Sequence, residues 1–204
     1  WEDNASSYLG KSYPEEMITE SLSKYDNIQF DKCTEANMLR KVANGKIVSL
    51  FAGGSESGRR ALGNRSIIAD PRHPDMKDII NEKVKHRQWY RPFAPSILRE
   101  KVSEWFEKDI PSPYMSFVLK FKDEMGKKVP AVNHYDGTAR LQTVTALDNE
   151  KYYNLLKEWE KISGVPIILN TSFNDREPIV ETPDHAINCF LGTNIDYLYF
   201  ADYN

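Results

Sequence analysis

The chain has 204 residues, 40% hydrophobic and 12% aromatic, which is enough to bury a core without disulfides or a structural metal and excludes a largely disordered segment. A net charge of −3 argues against a general nucleic-acid or membrane-surface binder, and no apolar run approaches the length of a membrane span. Cys33 and Cys189 make neither a disulfide framework nor a zinc motif and no signal peptide is visible, so the expected compartment is the reducing cytoplasm.

Ser12-Tyr13-Pro14-Glu15 has the form of a capping box and predicts a helix to about Tyr25, with Met17, Ile18, Leu22 and Tyr25 on one face. Asn27–Phe30 reads as a short strand. Thr34 caps a second helix, which Gly45 ends in the left-handed conformation. Ile47–Phe51 is a buried strand that runs into the loop Ala52–Gly58, and Ser66–Ala69 is another strand. Pro74 starts a helix that buries Met76, Ile79, Ile80 and Val84. Pro95–Leu98 is a strand, followed by a short helix through Trp105 and Phe106. Tyr114–Phe121 alternates as a strand with one exposed face, and Ala139–Thr145 is a further strand. Asp148 or Asn149 caps a helix that Gly164 ends, and Pro166–Asn170 is buried and extended. Thr182-Pro183 caps the last helix, ending near Gly192, and Asp196–Ala201 is the final strand. Helices alternate with strands but hairpin-like strands sit between them, so the expected fold is mixed α/β (α+β), a twisted mixed sheet with helices. The length fits one domain over residues 1–204, and the start at Trp1 without a methionine reads as a piece of a longer or processed protein.

Charge is unevenly spread. Residues 59–99 hold ten Arg and Lys against four acids, a basic island in an acidic chain that suggests a local anion site or, equally blandly, a solvated helix face. Gly53-Gly54-Ser55-Glu56-Ser57-Gly58-Arg59-Arg60 follows a buried strand with phosphate-loop spacing, yet Arg59 and Arg60 replace the lysine and hydroxyl that would bind phosphate and magnesium. A Walker-type site is thereby rejected, leaving a close backbone approach to a ligand or a plain surface turn. Arg60 and Arg65 bracket a Gly-Asn turn, suited to phosphate or carboxylate or to surface ion pairing. Lys83–Phe93 interleaves Lys83, Lys85, Arg87 and Arg91 with Trp89, Tyr90 and Phe93. Such a segment can hold a small anion, stack a nucleobase, or simply oppose a helix C-terminus. Arg140 and Gln142 should project from one face of their strand, with Leu141 on the other. Asn170, Ser172 and Asn174 end an apolar strand, where ligand groups collect, or else bond a local turn. The four histidines show no metal-ligand spacing and no nucleophile is paired with a base, so catalysis would rest on charge stabilisation by cations.

Taken in order, these segments resemble the C-terminal domain of the nodulation-type O-carbamoyltransferases, a family that includes an antibiotic-tailoring carbamoyltransferase. The blocks are Arg60–Pro71 (RALGNRSIIADP), Asn81–Arg87 (NEKVKHR), Arg91–Ser96 (RPFAPS), Asp136–Arg140 with Gln142, Val165–Asn174 (VPIILNTSFN) and Glu177–Val180 (EPIV), within a resemblance running from Tyr8 to Ala201. It implies the fold of the threonylcarbamoyl-adenylate synthases, a twisted α/β sheet around a positively charged cavity. It also implies conversion of carbamoyl phosphate and ATP to carbamoyl-adenylate. A separate N-terminal transfer domain, with an actin-like ATPase fold and an iron site and absent from this chain, would pass the carbamoyl group to a hydroxyl. By motif position Lys85, Arg91 and Arg140 would be catalytic, and Arg60, Arg65, Arg87, Asn170, Ser172 and Asn174 would bind the nucleotide and its partner. Mg2+ would travel with ATP, with no metal site of the protein's own. Two loops depart from the family pattern. Ser57-Gly58-Arg59-Arg60 stands for the usual Phe-Gly-Pro-Arg, and Arg176-Glu177-Pro178 is one glycine short of Arg-Gly-Glu-Pro. The competing readings are a threonylcarbamoyl-adenylate synthase, which would need sites for threonine and bicarbonate, and a nucleotide- or RNA-binding module without turnover.

Overall fold

The computed structural model describes residues 6–26 and 28–203. Its strands are β1 Val48–Phe51, β2 Arg65–Ala69, β3 Ala94–Leu98, β4 Val118–Lys120, β5 Thr138–Arg140, β6 Gln142–Val144, β7 Ile167–Ser172 and β8 Tyr197–Phe200. Its α-helices are α1 Glu15–Leu22, α2 Glu35–Ala43, α3 Met76–Lys83, α4 Val102–Trp105, α5 Ala146–Ser163 and α6 Pro183–Leu191. Six strands form one mixed sheet in the order β6-β3-β7-β2-β1-β8, antiparallel through its middle and parallel at both flanks. β4 and β5 form a separate antiparallel pair. The middle strands read as unbroken apolar runs because both faces are covered; Ile67, Ile68, Ile167, Ile168 and Leu169 are fully buried. No described helix is long and apolar enough to cross a membrane.

Register decides where chemistry gathers. Asn170 of β7 lies opposite Ile68 of β2 and Ala94 of β3, and Ser172 lies opposite Ser66. The exit of β7 therefore meets the entries of β2 and β3 at one end of the strands. The loop before β2, the segment before β3 and the turn after β7 converge there.

Local signals hold where the cap chemistry is explicit. Thr34 accepts from the Asn37 amide, Thr182 accepts from His185, and Gly45 and Gly164 take the left-handed conformation (φ 79° and 77°). Elsewhere the structure corrects the sequence. Pro14 stands at the N-cap of α1 with no side-chain cap bond, so Ser12 plays no capping part. Residues 28–30 form no strand, and Asn27 lies outside the described residues. Tyr114–Phe121 shrinks to the three residues of β4, because Met115 adopts φ 56° and Ser112 turns the chain by accepting from the Met115 and Phe117 amides. Ala139–Thr145 is two strands in two sheets, broken at buried Leu141. α5 starts at a Thr145–Asp148 capping box and kinks at Asn149. The Asn149 side chain then caps the long remainder by accepting from the Tyr152 amide at 3.0 Å. Trp159 of that remainder is fully buried and donates to the Ile167 carbonyl at 2.7 Å, fixing α5 on β7.

Candidate active site

A cavity of about 560 Å³ opens at the strand ends where β2, β3 and β7 meet. Arg59, Arg60 and Ala61 reach it from the β1–β2 loop. Arg87, Arg91, Pro92 and Phe93 come from the segment between α3 and β3, His134 and Arg140 from around β5, and Asn170, Thr171 and Ser172 from β7. Five arginines line it and no carboxylate does. None of the five forms an ion pair among the described residues. Burial, and then the neighbouring Arg60 charge, pulls the Arg140 guanidinium below the usual arginine range. Burial, and then Arg91, brings Arg87 down to about 10. Cations gathered on a concave surface with no counter-charge among the described residues favour an incoming anion.

The geometry of the Arg87 side is set by Asn81, which is 1% exposed. Its amide nitrogen donates to the Arg91 carbonyl at 3.0 Å and its Oδ1 accepts from Arg87 Nε at 2.6 Å. His86 takes φ 44°, which turns the chain out of α3 and lets the Arg87 amide reach the Asn81 carbonyl. The Arg87 guanidinium then lies 4.6 Å from the Phe93 ring centroid, so a cation–π contact holds the fork flat.

A polar floor lies beneath the arginines. Asn170 Nδ2 donates to Ser96 Oγ and Gln142 Oε1, each at 3.0 Å, and to the Ala61 carbonyl at 3.2 Å. Gln142 Nε2 donates to the Leu62 carbonyl, and Tyr152 donates to Ser96. The loop above this floor is organised by a carboxylate, Glu56, whose Oε1 accepts from the amides of Leu62, Asn64 and Arg65. Gly63 is required in that turn by its φ of 122° and by the Tyr152 ring, which a Cβ would meet at 2.4 Å.

Of the residues singled out from sequence, Arg60, Arg87, Arg91, Arg140, Asn170 and Ser172 share this one cavity. Lys85 does not line it. The residue is 5% exposed, and its ammonium donates to the carbonyls of Ser172 (2.5 Å) and Asn174 (2.7 Å) and to Asn174 Oδ1 (2.8 Å). Burial, with Arg87 adding to it, lowers its pKa to about 7. Asn174 is likewise outside the lining, held by Lys85, by Ser172 Oγ and by the Glu177 carbonyl. Arg65 is a correction of a different kind. It is fully buried, its guanidinium stacks 3.6 Å from the Phe51 ring centroid, and it donates to the carbonyls of Ala52, Gly53 and Asn64. Its donors are needed by the loop backbone, so it faces away from the cavity. Gln142 is also separated from Arg140, since the break at Leu141 sends it into the main sheet.

None of Glu56, Asn81, Arg59 and His134 is among the site residues expected from the sequence. Glu56 had a signal, a single acid inside a glycine-rich loop flanked by arginines, where a carboxylate can cap free amides. Asn81 had none beyond its place in a block, and His134 lies outside every block. Among the described residues no group of three or more His, Cys, Asp or Glu comes together as a metal site. A larger hollow of about 650 Å³, between α2, β8 and residues 28–33, shares no lining residue with the arginine cavity.

Residues 39–204 match the family described as "Carbamoyltransferase C-terminus". The chain is similar to an uncharacterised protein, sll1178, of Synechocystis, at 40% identity over 98% of this chain and 37% of that protein. It is similar at 43% identity to nodulation protein NolO of Bradyrhizobium diazoefficiens, over 93% of this chain and 35% of the relative. It thus spans little more than a third of either protein. Among solved structures, full-length HypF in its phosphate- and nucleotide-bound form aligns with a TM-score of 0.55 at 18% identity, over 88% of this chain and 27% of that one. P. abyssi Sua5 complexed with L-threonine aligns with a TM-score of 0.57 at 17% identity, over 82% of this chain and 47% of that one. These two likenesses establish a shared fold, as the resemblance implied. With the family match covering the sheet and every arginine of the cavity, the chain belongs to the carbamoyltransferase C-terminal family.

Proposed function

We propose that this domain binds ATP and carbamoyl phosphate in the arginine-lined cavity and forms carbamoyl-adenylate, which a transfer domain elsewhere in a longer protein delivers to a hydroxyl acceptor. The observation that carries this reading is the gathering, around one polar-floored cavity, of five arginines that have no ion pair and no lining carboxylate among the described residues. The atoms balance with one water. Water cleaves carbamoyl phosphate to carbamate and inorganic phosphate; a carbamate oxygen then attacks the α-phosphorus of ATP, and the bond to the β-phosphate breaks with release of pyrophosphate. No protein nucleophile is required. The arginines hold two polyanionic substrates together and stabilise the charge that grows on the α-phosphoryl oxygens, each donor contributing roughly 2–4 kcal/mol. Mg2+ enters with the triphosphate, because the cavity walls offer it no carboxylate. HypF, which shares this fold and was solved in a phosphate- and nucleotide-bound form, supports the same ligand chemistry here.

The test is phosphate and pyrophosphate release by the purified chain with ATP and Mg2+. Equal amounts of the two, dependent on carbamoyl phosphate, support the reading. Pyrophosphate that appears only with threonine and bicarbonate would reassign the domain to threonylcarbamoyl-adenylate synthesis. Nucleotide binding with neither product would make it a binding module.

A further inference from the structure

The arginine loop is held by a part of the chain that lies outside the family match, which begins at residue 39. Residues 7–10 run alongside the glycine-rich loop as a strap. The Ser7 carbonyl accepts from the Ser57 amide at 2.7 Å and from Ser57 Oγ at 3.0 Å, and the Gly10 amide donates to the Ser55 carbonyl at 3.0 Å. Contact is too close for side chains on either partner. A Cβ on Gly10 would fall 2.7 Å from the Ser55 nitrogen, and one on Gly54 would fall 2.4 Å from the Gly10 carbonyl oxygen. Tyr8 fastens the far side. Its hydroxyl donates to the Leu62 carbonyl at 3.0 Å, the same oxygen that receives Gln142 Nε2 from the cavity floor. Its ring packs on Leu62, Ala94 and Met115, and the last two line the cavity.

Arg59 and Arg60 sit between these two attachment points, Ser55–Ser57 and Leu62. Their own side chains make no hydrogen bond among the described residues that would place them. We propose that Ser7–Gly10 is a positioning element of the anion site, with Tyr8 and Gly10 as its positioning residues, and that it acts by fixing the stretch of backbone that aims Arg60 at the ligand. This rests on the anion-binding half of the function proposed above and not on adenylate formation.

The experiment uses inorganic pyrophosphate as the probe, titrated into the full chain calorimetrically. Gly10→Ala should weaken pyrophosphate binding about tenfold, equal to about 1.4 kcal/mol, by misplacing one charged contact. Tyr8→Phe, which keeps the ring and loses only the hydroxyl, should weaken it less, in the same direction. In an Arg60→Ala background both losses should disappear, a result that general destabilisation does not produce. Hydrogen exchange reads the strap without any ligand: the Ser57 amide should lose protection in Gly10→Ala while the amides of β7 keep theirs. Equal weakening in the presence and absence of Arg60, or an unchanged Ser57 amide, overturns the proposal. If the wild-type chain binds no pyrophosphate, this proposal and the anion-site reading fall together. If it binds pyrophosphate with strap dependence but makes no carbamoyl-adenylate, the strap stands and only the reaction is lost.

Discussion

The Lys85 ammonium lies 2.5 Å from the carbonyl oxygen of Ser172, a residue that itself lines the arginine cavity. One cation thus fixes the end of β7, the strand that gives Asn170, Thr171 and Ser172 to the cavity lining. Its cost is set by burial, which with the Arg87 charge brings the ammonium from 10.5 to about 7. The folded chain then holds fewer protons than the unfolded chain between about pH 7 and 10.5. Stability from this group is lowest below pH 7, where both states are protonated, and rises as pH climbs through that window. The wild-type melting temperature should therefore gain on that of Lys85→Met between pH 7 and 10. Parallel profiles for the two proteins would show that Lys85 does not titrate there.

Burial, and then the Arg60 charge, lowers the pKa of the Arg140 guanidinium, and the two like charges line one cavity. Such a pair is unfavourable without a ligand, so pyrophosphate or sulfate should raise the melting temperature by mass action. Arg60→Ala should leave the ligand-free melting temperature unchanged or higher and remove most of the ligand-induced rise. Arg99→Ala, which breaks an ion pair with Asp109 away from the cavity, should leave the rise intact. An undiminished rise in Arg60→Ala would take Arg60 out of the site.

Arg65 should behave in the opposite way. Its guanidinium serves the carbonyls of Ala52, Gly53 and Asn64 and stacks on Phe51. Arg65→Ala leaves those buried acceptors unpaired and opens a void, at a cost on the order of 3–5 kcal/mol. The measurement is urea unfolding, with pyrophosphate affinity taken at a temperature where the variant is folded. A variant of wild-type stability that loses only pyrophosphate would restore Arg65 to the ligand site.

How far the sequence could be read depended on whether the deciding interaction was local. Thr34, Gly45, Gly164 and Thr182 act within a few residues of themselves, and the ends they mark are where the pattern puts them. Ser12 had the right spacing for a cap, but Pro14 already stands at the N-cap with β-region dihedrals and no side-chain cap bond forms. The break at Leu141 was hidden because a strand that changes sheets keeps its alternation. The sheet topology and the opposite fates of Arg60 and Arg65 follow from contacts across most of the chain. Two arginines five apart look alike in sequence, but Arg65 is taken up by the loop carbonyls while Arg60 lines the cavity. The basic island was visible as a count of charges. Lys85 belonged to it, yet its partners, Ser172 and Asn174, lie nearly ninety positions away.

The most demanding expectation concerns the reaction. Given Mg2+, ATP and carbamoyl phosphate, the chain should release phosphate and pyrophosphate in equal amounts and accumulate carbamoyl-adenylate without carbamoylating a hydroxyl, since the proposed function assigns transfer to a separate domain. Arg140 is half-buried on β5 and faces Arg60 across the space where the two substrates would meet. Arg140→Ala should slow adenylate formation by ~100-fold or more, since a preorganised charge in a desolvated site stabilises the transition state more than the ground state. If Arg140 only gathers substrate, KM will rise while kcat holds; if it stabilises the developing charge, kcat will fall. The loop Ser57–Arg60 is where activity is most exposed to failure. Arg59 lines the cavity beside Arg60, and on the proposed function its added charge should strengthen triphosphate binding and slow release of pyrophosphate. Arg59→Ala should then weaken ATP binding and lower the salt dependence of that binding, and in a chain limited by product release it should raise turnover. ATP bound with no pyrophosphate in either Arg59 background, under conditions where a full-length relative is active, would leave a domain that holds nucleotide and does no chemistry.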